Sequence, residues 1–194
     1  MKKTLHTTAI ILFIAAFFSC KKGSIEPGQD AVTDQSANGS PVNPGKISPG
    51  GGGCTPTTVG LIAGQTIDAG TVTVSNDADF IYVTYQTANG YTLTQTHLYV
   101  GDCAQIPVNS QGNPMPGQFP YSNTHNNATT YTYQVPITAI STGSCGCIAA
   151  HAVVVKLDGN GNIIDQQTGW GNGTRINPHG GNWAMKFTYC SCAG

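Results

Sequence analysis

The chain has 194 residues, with 8 Lys and Arg against 9 Asp and Glu and a formal net charge of −1. Without Lys2 and Lys3, which belong to an N-terminal leader described next, six basic residues face nine acidic ones. This balance excludes a basic footprint for nucleic acid and, apart from Lys21-Lys22, a polybasic patch for anionic lipid.

The chain begins Met1-Lys2-Lys3, continues through a short polar stretch, and then runs apolar from Ala9 to Phe18 before Ser19 and Cys20. A basic start, an apolar centre and a small residue before a cleavage point make a secretory signal. The apolar run is too short for a spanning helix, which takes about 20 residues. Residues 1–19 are therefore expected to be a cleaved signal peptide. Phe17-Phe18-Ser19-Cys20 resembles the bacterial lipobox, with Phe17 where the strict form has Leu or another aliphatic. Lys21-Lys22 after the cysteine is similar to lipoproteins of the Bacteroidetes group. That resemblance implies acylation of Cys20 and of the new N-terminus, so that the membrane is a partner through the lipid. Several acyl chains, at about 0.8 kcal/mol per buried methylene, pass the limit of single-chain anchoring. The implied location is the cell envelope, as an outer-membrane lipoprotein on the periplasmic face or the cell surface. After the lipidated Cys20, the stretch to residue 53 is Gly, Pro, Ser, Asn, Asp and Gln, closed by Gly50 to Gly53. It cannot bury enough apolar surface to offset its ordering entropy and is expected to be a flexible tether.

Residues 54–194 are long enough for one domain with a real core. Gln65 to Ser75 alternates apolar residues among Thr and Gly, and Asp79 to Thr87 is rich in aromatic and β-branched residues, so both read as strands. Ala88-Asn89-Gly90 follows, with Asn-Gly as a hairpin signal. Tyr91 to Val100 then reads as the return strand, with Tyr91, Leu93, Gln95, His97 and Tyr99 on one face. Asp102 to Asn127 is rich in Pro, Gly and Asn and reads as loop throughout. Thr129 to Ile140 is another strand, in which Pro136 marks an edge or a bulge. Cys147 to Leu157 is the most apolar segment and a central strand. Asp158-Gly-Asn-Gly-Asn162 turns the chain, Ile163 to Thr168 returns, Gly169 to Asn182 is a Gly/Asn loop, and Trp183 to Cys192 is the last strand. No repeat is visible. About seven to nine short strands with frequent turns and no long amphipathic helix make the fold all-β: an antiparallel β-sandwich or partly open barrel, stapled by disulfides.

With Cys20 assigned to lipid, six cysteines remain: Cys54, Cys103, Cys145, Cys147, Cys190 and Cys192. An even number in an exported domain points to disulfides. Cys145-Gly-Cys147 and Cys190-Ser-Cys192 each place two thiols on one strand face, so two bridges side by side are expected, leaving Cys54 for Cys103. An alternative ties the C-terminal cysteines to Cys54 and Cys103. A zinc site is disfavoured, because structural sites space their ligands as C-x₂₋₄-C.

Asp158 to Asn162 has oxygen side chains at alternate positions, as a calcium loop does. Its would-be sixth and twelfth positions are Ile163 and Gly169 in place of Gly and Glu, so it reads as a turn. His151 shares a face with Val153, Val155 and Leu157 and reads as a core histidine. His97 reads as packed beside aromatic neighbours, and His125 as lying in a polar loop. No metal site and no cofactor are expected. Catalytic motifs are absent, Glu26 is the only glutamate, and most aspartates sit at turns, so no catalytic residue is assigned. The candidate ligand surface is the segment from Trp170 to Trp183, with Trp170, Arg175, His179, Asn182 and Trp183 as its contacts. Aromatic faces beside amides suit a sugar or a peptide. The competing reading has both tryptophans plugging the end of the sandwich.

The segments Gln95–Gly101, Pro116–Tyr121, Ile148–Val154, Thr168–Gly171 and Asn182–Tyr189 resemble, in order, a family of secreted bacterial and archaeal β-rich modules. The resemblance covers residues 70–190 and implies the fold and the extracellular location. It implies no chemistry, and the two C-x-C pairs are additions to the family's common form. The expected function is a non-enzymatic binding or envelope-structure module, with a polysaccharide or an envelope protein as partner and no nucleic acid. The alternatives are a glycan hydrolase working through aspartates and a purely structural protein-contact lipoprotein.

Overall fold

The computed structural model describes residues 55–192. The expected signal peptide, the lipidated Cys20, the tether and Cys54 lie outside the described residues. Ten strands follow one another: β1 (Thr57–Ala63), β2 (Ile67–Asn76), β3 (Phe80–Thr87), β4 (Tyr91–Gly101), β5 (Tyr121–Ala128), β6 (Thr130–Pro136), β7 (Cys145–Leu157), β8 (Ile163–Gly171), β9 (Thr174–Arg175) and β10 (Met185–Cys190). Every pairing is antiparallel. Eight strands form one sheet in the order β5-β4-β7-β8-β1-β2-β3-β6, curled until it is nearly a closed barrel. The all-β class and the partly open barrel follow the sequence expectation. β7 is central as expected, flanked by β4 along its length and by β10 and then β8 on its other side.

The strands form because their apolar residues recur with period two on one face. Val72 and Val74 of β2, Ile81, Val83 and Tyr85 of β3, and Ile148, Ala150, Ala152 and Val154 of β7 meet in one interior core. In β4 the alternation is broken. A bulge between Leu93 and Gln95 shifts the register against both neighbours. Tyr91 and Leu93 therefore point inward with Leu98 and Val100, and the single face expected for Tyr91 through Tyr99 is corrected. One extra residue reverses the side-chain parity, which sends His97 and Tyr99 outward.

Three further expectations change. Asn89-Gly90 does turn the chain, with both residues at positive φ and Tyr91 N–H donating to the Ala88 carbonyl. However, β3 and β4 do not pair with each other: β3 lies between β2 and β6, and β4 between β5 and β7. The turn is a crossover from one side of the barrel to the other. The stretch expected to be loop to residue 127 contains β5, whose Ser, Asn and Thr residues pair with β4 although they offer little apolar surface. β1, which precedes the first expected strand, joins β2 to β8. Gly70 serves this junction: its φ is +138°, and a Cβ there would lie 2.0 Å from the Gln86 carbonyl oxygen, so only glycine admits the close approach of β3.

Two disulfides are described, Cys103–Cys147 and Cys145–Cys190. The expectations that Cys145 and Cys147 both bridge to Cys190 and Cys192, and that Cys54 bridges to Cys103, are thereby corrected. In the β7–β10 ladder Cys145 lies opposite Cys190, but Cys147 lies opposite Thr188 and beside Gly101 of β4. Cys192 falls past the end of β10, and Cys103, just after β4, is the thiol within reach of Cys147. Cys192 is itself disulfide-bonded, to none of these four. The Cys103–Cys147 bridge closes a loop of 44 residues. Replacing both cysteines by alanine is expected to lower stability by about 2–4 kcal/mol. Urea denaturation checks it; a loss under about 1 kcal/mol would mean that packing alone holds the loop.

Candidate functional site

The outward turn of β4 after its bulge creates a second apolar layer. Tyr99, Cys147, Ala149 and Trp170, on the outer faces of β4, β7 and β8, pack with Ile106, Phe119 and Ala184. Ile176, Trp183 and Met185 close over them. Two long connections thus fold back over the outside of the sheet. They are tied to each other where Asn177 Nδ2 donates to the Gln111 carbonyl at 2.8 Å and the Asn182 N–H donates to Asn113 Oδ1 at 3.0 Å.

This arrangement separates the residues of the expected ligand surface. Trp170 belongs to β8 rather than to a loop and is 5% exposed, with its ring edge-on to Phe119 and tilted against His151. It offers no flat face to a ligand. Trp183 is half-buried against the same layer, while Arg175, on β9, His179 and Asn182 are exposed. The tryptophans cover the side of the barrel rather than plug its end.

Beneath Trp170, His97 and His151 face each other across β4 and β7, their Nδ1 atoms 3.2 Å apart. One Nδ1 must carry the proton and the other accept it, so the hydrogen bond requires at least one ring to be neutral. Burial, reinforced by His97, pushes His151 down to about 3, and burial lowers His97 as well. His151 is buried with its ring hydrogen-bonded, as read, and the His97 ring packs beside that of His151.

The sequence reading gave no role to the gap in the barrel. β5 and β6 are the two ends of the strand order, adjacent in sequence but each paired on one side only. The faces they turn toward the interior carry Tyr121, Asn123 and His125 on β5 and Tyr131, Tyr133 and Val135 on β6, set by their registers with β4 and β3. His125 is therefore on a strand, not in a polar loop. Its ring lies 4.5 Å from that of Tyr131, which lies 4.8 Å from that of Tyr133. Thr96 Oγ1 is 2.8 Å from His125 Nε2 and 2.7 Å from the Tyr133 hydroxyl, which donates to the Thr96 carbonyl. Burial lowers His125 and raises Tyr133 and Tyr121, keeping all three neutral at pH 7. Tyr121, Asn123, His125 and Tyr131 are each half-buried. The signal in the sequence was Tyr-x-Tyr on β6 facing His125, legible only once β5 is known to be a strand.

The aspartates serve turns. Asp68, Asp77, Asp102 and Asp158 each accept a backbone N–H two residues on, from Gly70, Asp79, Ala104 and Asn160. Burial opposes ionisation of Asp77, but hydrogen bonds from Tyr82, Asp79 and Phe80 hold it below the usual carboxylate range. At Asp158 the bonds from Asn162 and Asn160 do the same, consistent with the turn read there. Asp165 accepts from the Tyr91 hydroxyl, raising that phenol to about 12, and from Gln167. Among the described residues no three of His, Cys, Asp and Glu converge as metal ligands.

Comparisons with protein families, with curated proteins and with solved structures give no match.

Proposed function

We propose that this chain is a membrane-anchored, extracytoplasmic lipoprotein whose β-domain is a non-enzymatic binding module. The observation that carries this reading is the pair of disulfides formed within a charge-poor β-barrel, downstream of a signal-like start and a lipobox-like Cys20. Disulfides persist in oxidising compartments, and the N-terminal pattern supplies both the export and the anchor. Binding is preferred to glycan hydrolysis because five of the six aspartates of the described domain, all but Asp79, are engaged in turns or, at Asp165, with Tyr91 and Gln167. The exposed Arg175, His179 and Asn182 and the half-buried Trp183 remain the candidate contacts for a polysaccharide or an envelope protein, with Trp170 buried in the layer on which Trp183 packs. The test is metabolic labelling of the full chain with a palmitate analogue, followed by membrane fractionation. The wild-type chain is expected to be labelled and to sediment with the membranes, while Cys20→Ala loses the label and leaves the membrane fraction. An unlabelled wild-type chain in the soluble fraction would end the lipoprotein reading.

A further inference from the structure

We propose that the open side of the barrel, between β5 and β6, is a binding cleft for a neutral polysaccharide. The inference rests on the domain being a binding module but places the site away from the 174–183 surface. Three observations carry it. First, this side of the barrel presents half-buried rings of different kinds side by side, Tyr121, His125 and Tyr131, with Tyr133 against Tyr121 and Tyr131 and Tyr131 against His125. A core-filling cluster would hide such rings. Here they stand at the edge of the interior core with part of each surface in water. Aromatic faces of this kind receive the C–H faces of pyranose rings. Second, polar groups are interleaved with them at a spacing suited to hydroxyls. Asn123 lies between Tyr121 and His125 on the same face, and Thr96 and Tyr133 form a hydrogen-bonded floor beneath His125. A chain of donation from His125 Nε2 through the Thr96 hydroxyl to Tyr133 and on to the Thr96 carbonyl satisfies every group and leaves His125 Nδ1 as an acceptor. Third, β3, β4, β5 and β6 contain no Asp, Glu, Lys or Arg. A phosphorylated or carboxylated ligand would find no counter-charge on these strands, whereas a neutral one has no charge to desolvate and exchanges water for Asn123 and His125 at its hydroxyls.

An extended peptide added as a strand is the other occupant of a sheet edge. The rings line the gap between the two edges, so a ligand there meets side chains before backbone, which favours the sugar.

The test uses affinity electrophoresis of the full-length chain through gels containing xyloglucan, galactomannan or arabinoxylan, with polygalacturonate as the anionic control. At least one neutral polymer is expected to retard the protein. Asn123→Ala and Tyr131→Leu are expected to weaken binding about tenfold, while Tyr131→Phe, which keeps the ring, stays within about threefold of wild type. Ile164→Ala, on the exposed face of β8, should leave binding unchanged. Circular dichroism confirms that each variant is folded, and Tyr131→Phe distinguishes loss of a stacking face from loss of the fold. Retardation that survives the β5 and β6 variants but vanishes in Trp183→Ala would move the site to the 174–183 surface and overturn this proposal while keeping a binding function. Retardation by polygalacturonate alone, or by no neutral polymer with a folded chain, overturns it as well.

Discussion

Acidification from pH 7 to pH 4.5 is expected to cost the domain about 3 kcal/mol of stability, well before its aspartates begin to protonate. The cause is the His97–His151 pair under Trp170. In the unfolded chain each histidine titrates near 6.5, whereas burial and then His97 hold His151 down at about 3. Between those values the unfolded state binds a proton that the folded state refuses. Stability is therefore whole above pH 6.5 and falls by about 1.4 kcal/mol per pH unit as the pH drops toward 3, to a total of about 5 kcal/mol. The geometry gives the same sign. One proton on the pair leaves the Nδ1–Nδ1 bond intact but places a buried charge, and a second, on the accepting Nδ1, would set two N–H groups against each other at 3.2 Å. The aspartates act in the same direction but start from an ordinary value of 3.8, so they take effect below this window. Urea denaturation at a series of pH values checks it. His151→Gln, neutral throughout, is expected to flatten the slope between pH 6.5 and 4.5, and a wild-type protein equally stable at both values would show that the pair does not titrate as a buried unit.

Trp170→Ala is expected to be the most disruptive single truncation on the outer face, at about 3–5 kcal/mol. The indole is almost wholly enclosed and touches the rings of Phe119 and His151, so its removal leaves a hole that no neighbour can fill. Trp183, half-buried at the rim of the same layer, should cost about 1 kcal/mol. The asymmetry tests which tryptophan is structural. Equal, small losses would mean that both lie at the surface, as a ligand platform requires. The two predictions are also linked. Opening the cover over His151 readmits water to its ring, so Trp170→Ala should reduce the acid slope as well as the stability at pH 7.

The period-two runs Phe80–Thr87 and Cys147–Leu157 could be read as strands because each buries one face, and hydrophobic alternation needs no partner to be recognised. β5 could not. Its Tyr-Ser-Asn-Thr-His-Asn-Asn-Ala sequence carries breaker residues, and it is a strand only because β4 offers it a ladder. The candidate surface fared similarly. The composition of residues 170–183 pointed to aromatic rings beside amides, but burial separates Trp170 from Arg175, His179 and Asn182. The cleft at Tyr121, His125 and Tyr131 joins residues from two strands that share no hydrogen bonds in the sheet, and no linear spacing announces it.

The sequence by itself determined the all-β class, the turn at Asp158–Asn162 and the burial of His151, since each depends on local chemistry or on one strand's alternation. Tertiary structure alone decided three things. The bulge in β4 reversed the parity of its side chains. The β7–β10 register gave Cys147 to Cys103 and Cys190 to Cys145. The crossover at Asn89-Gly90 sent β3 and β4 to opposite sides and left β5 and β6 as facing edges. Each is a choice of partner between segments far apart in the chain, and the free energy that settles it resides in contacts that no single segment contains.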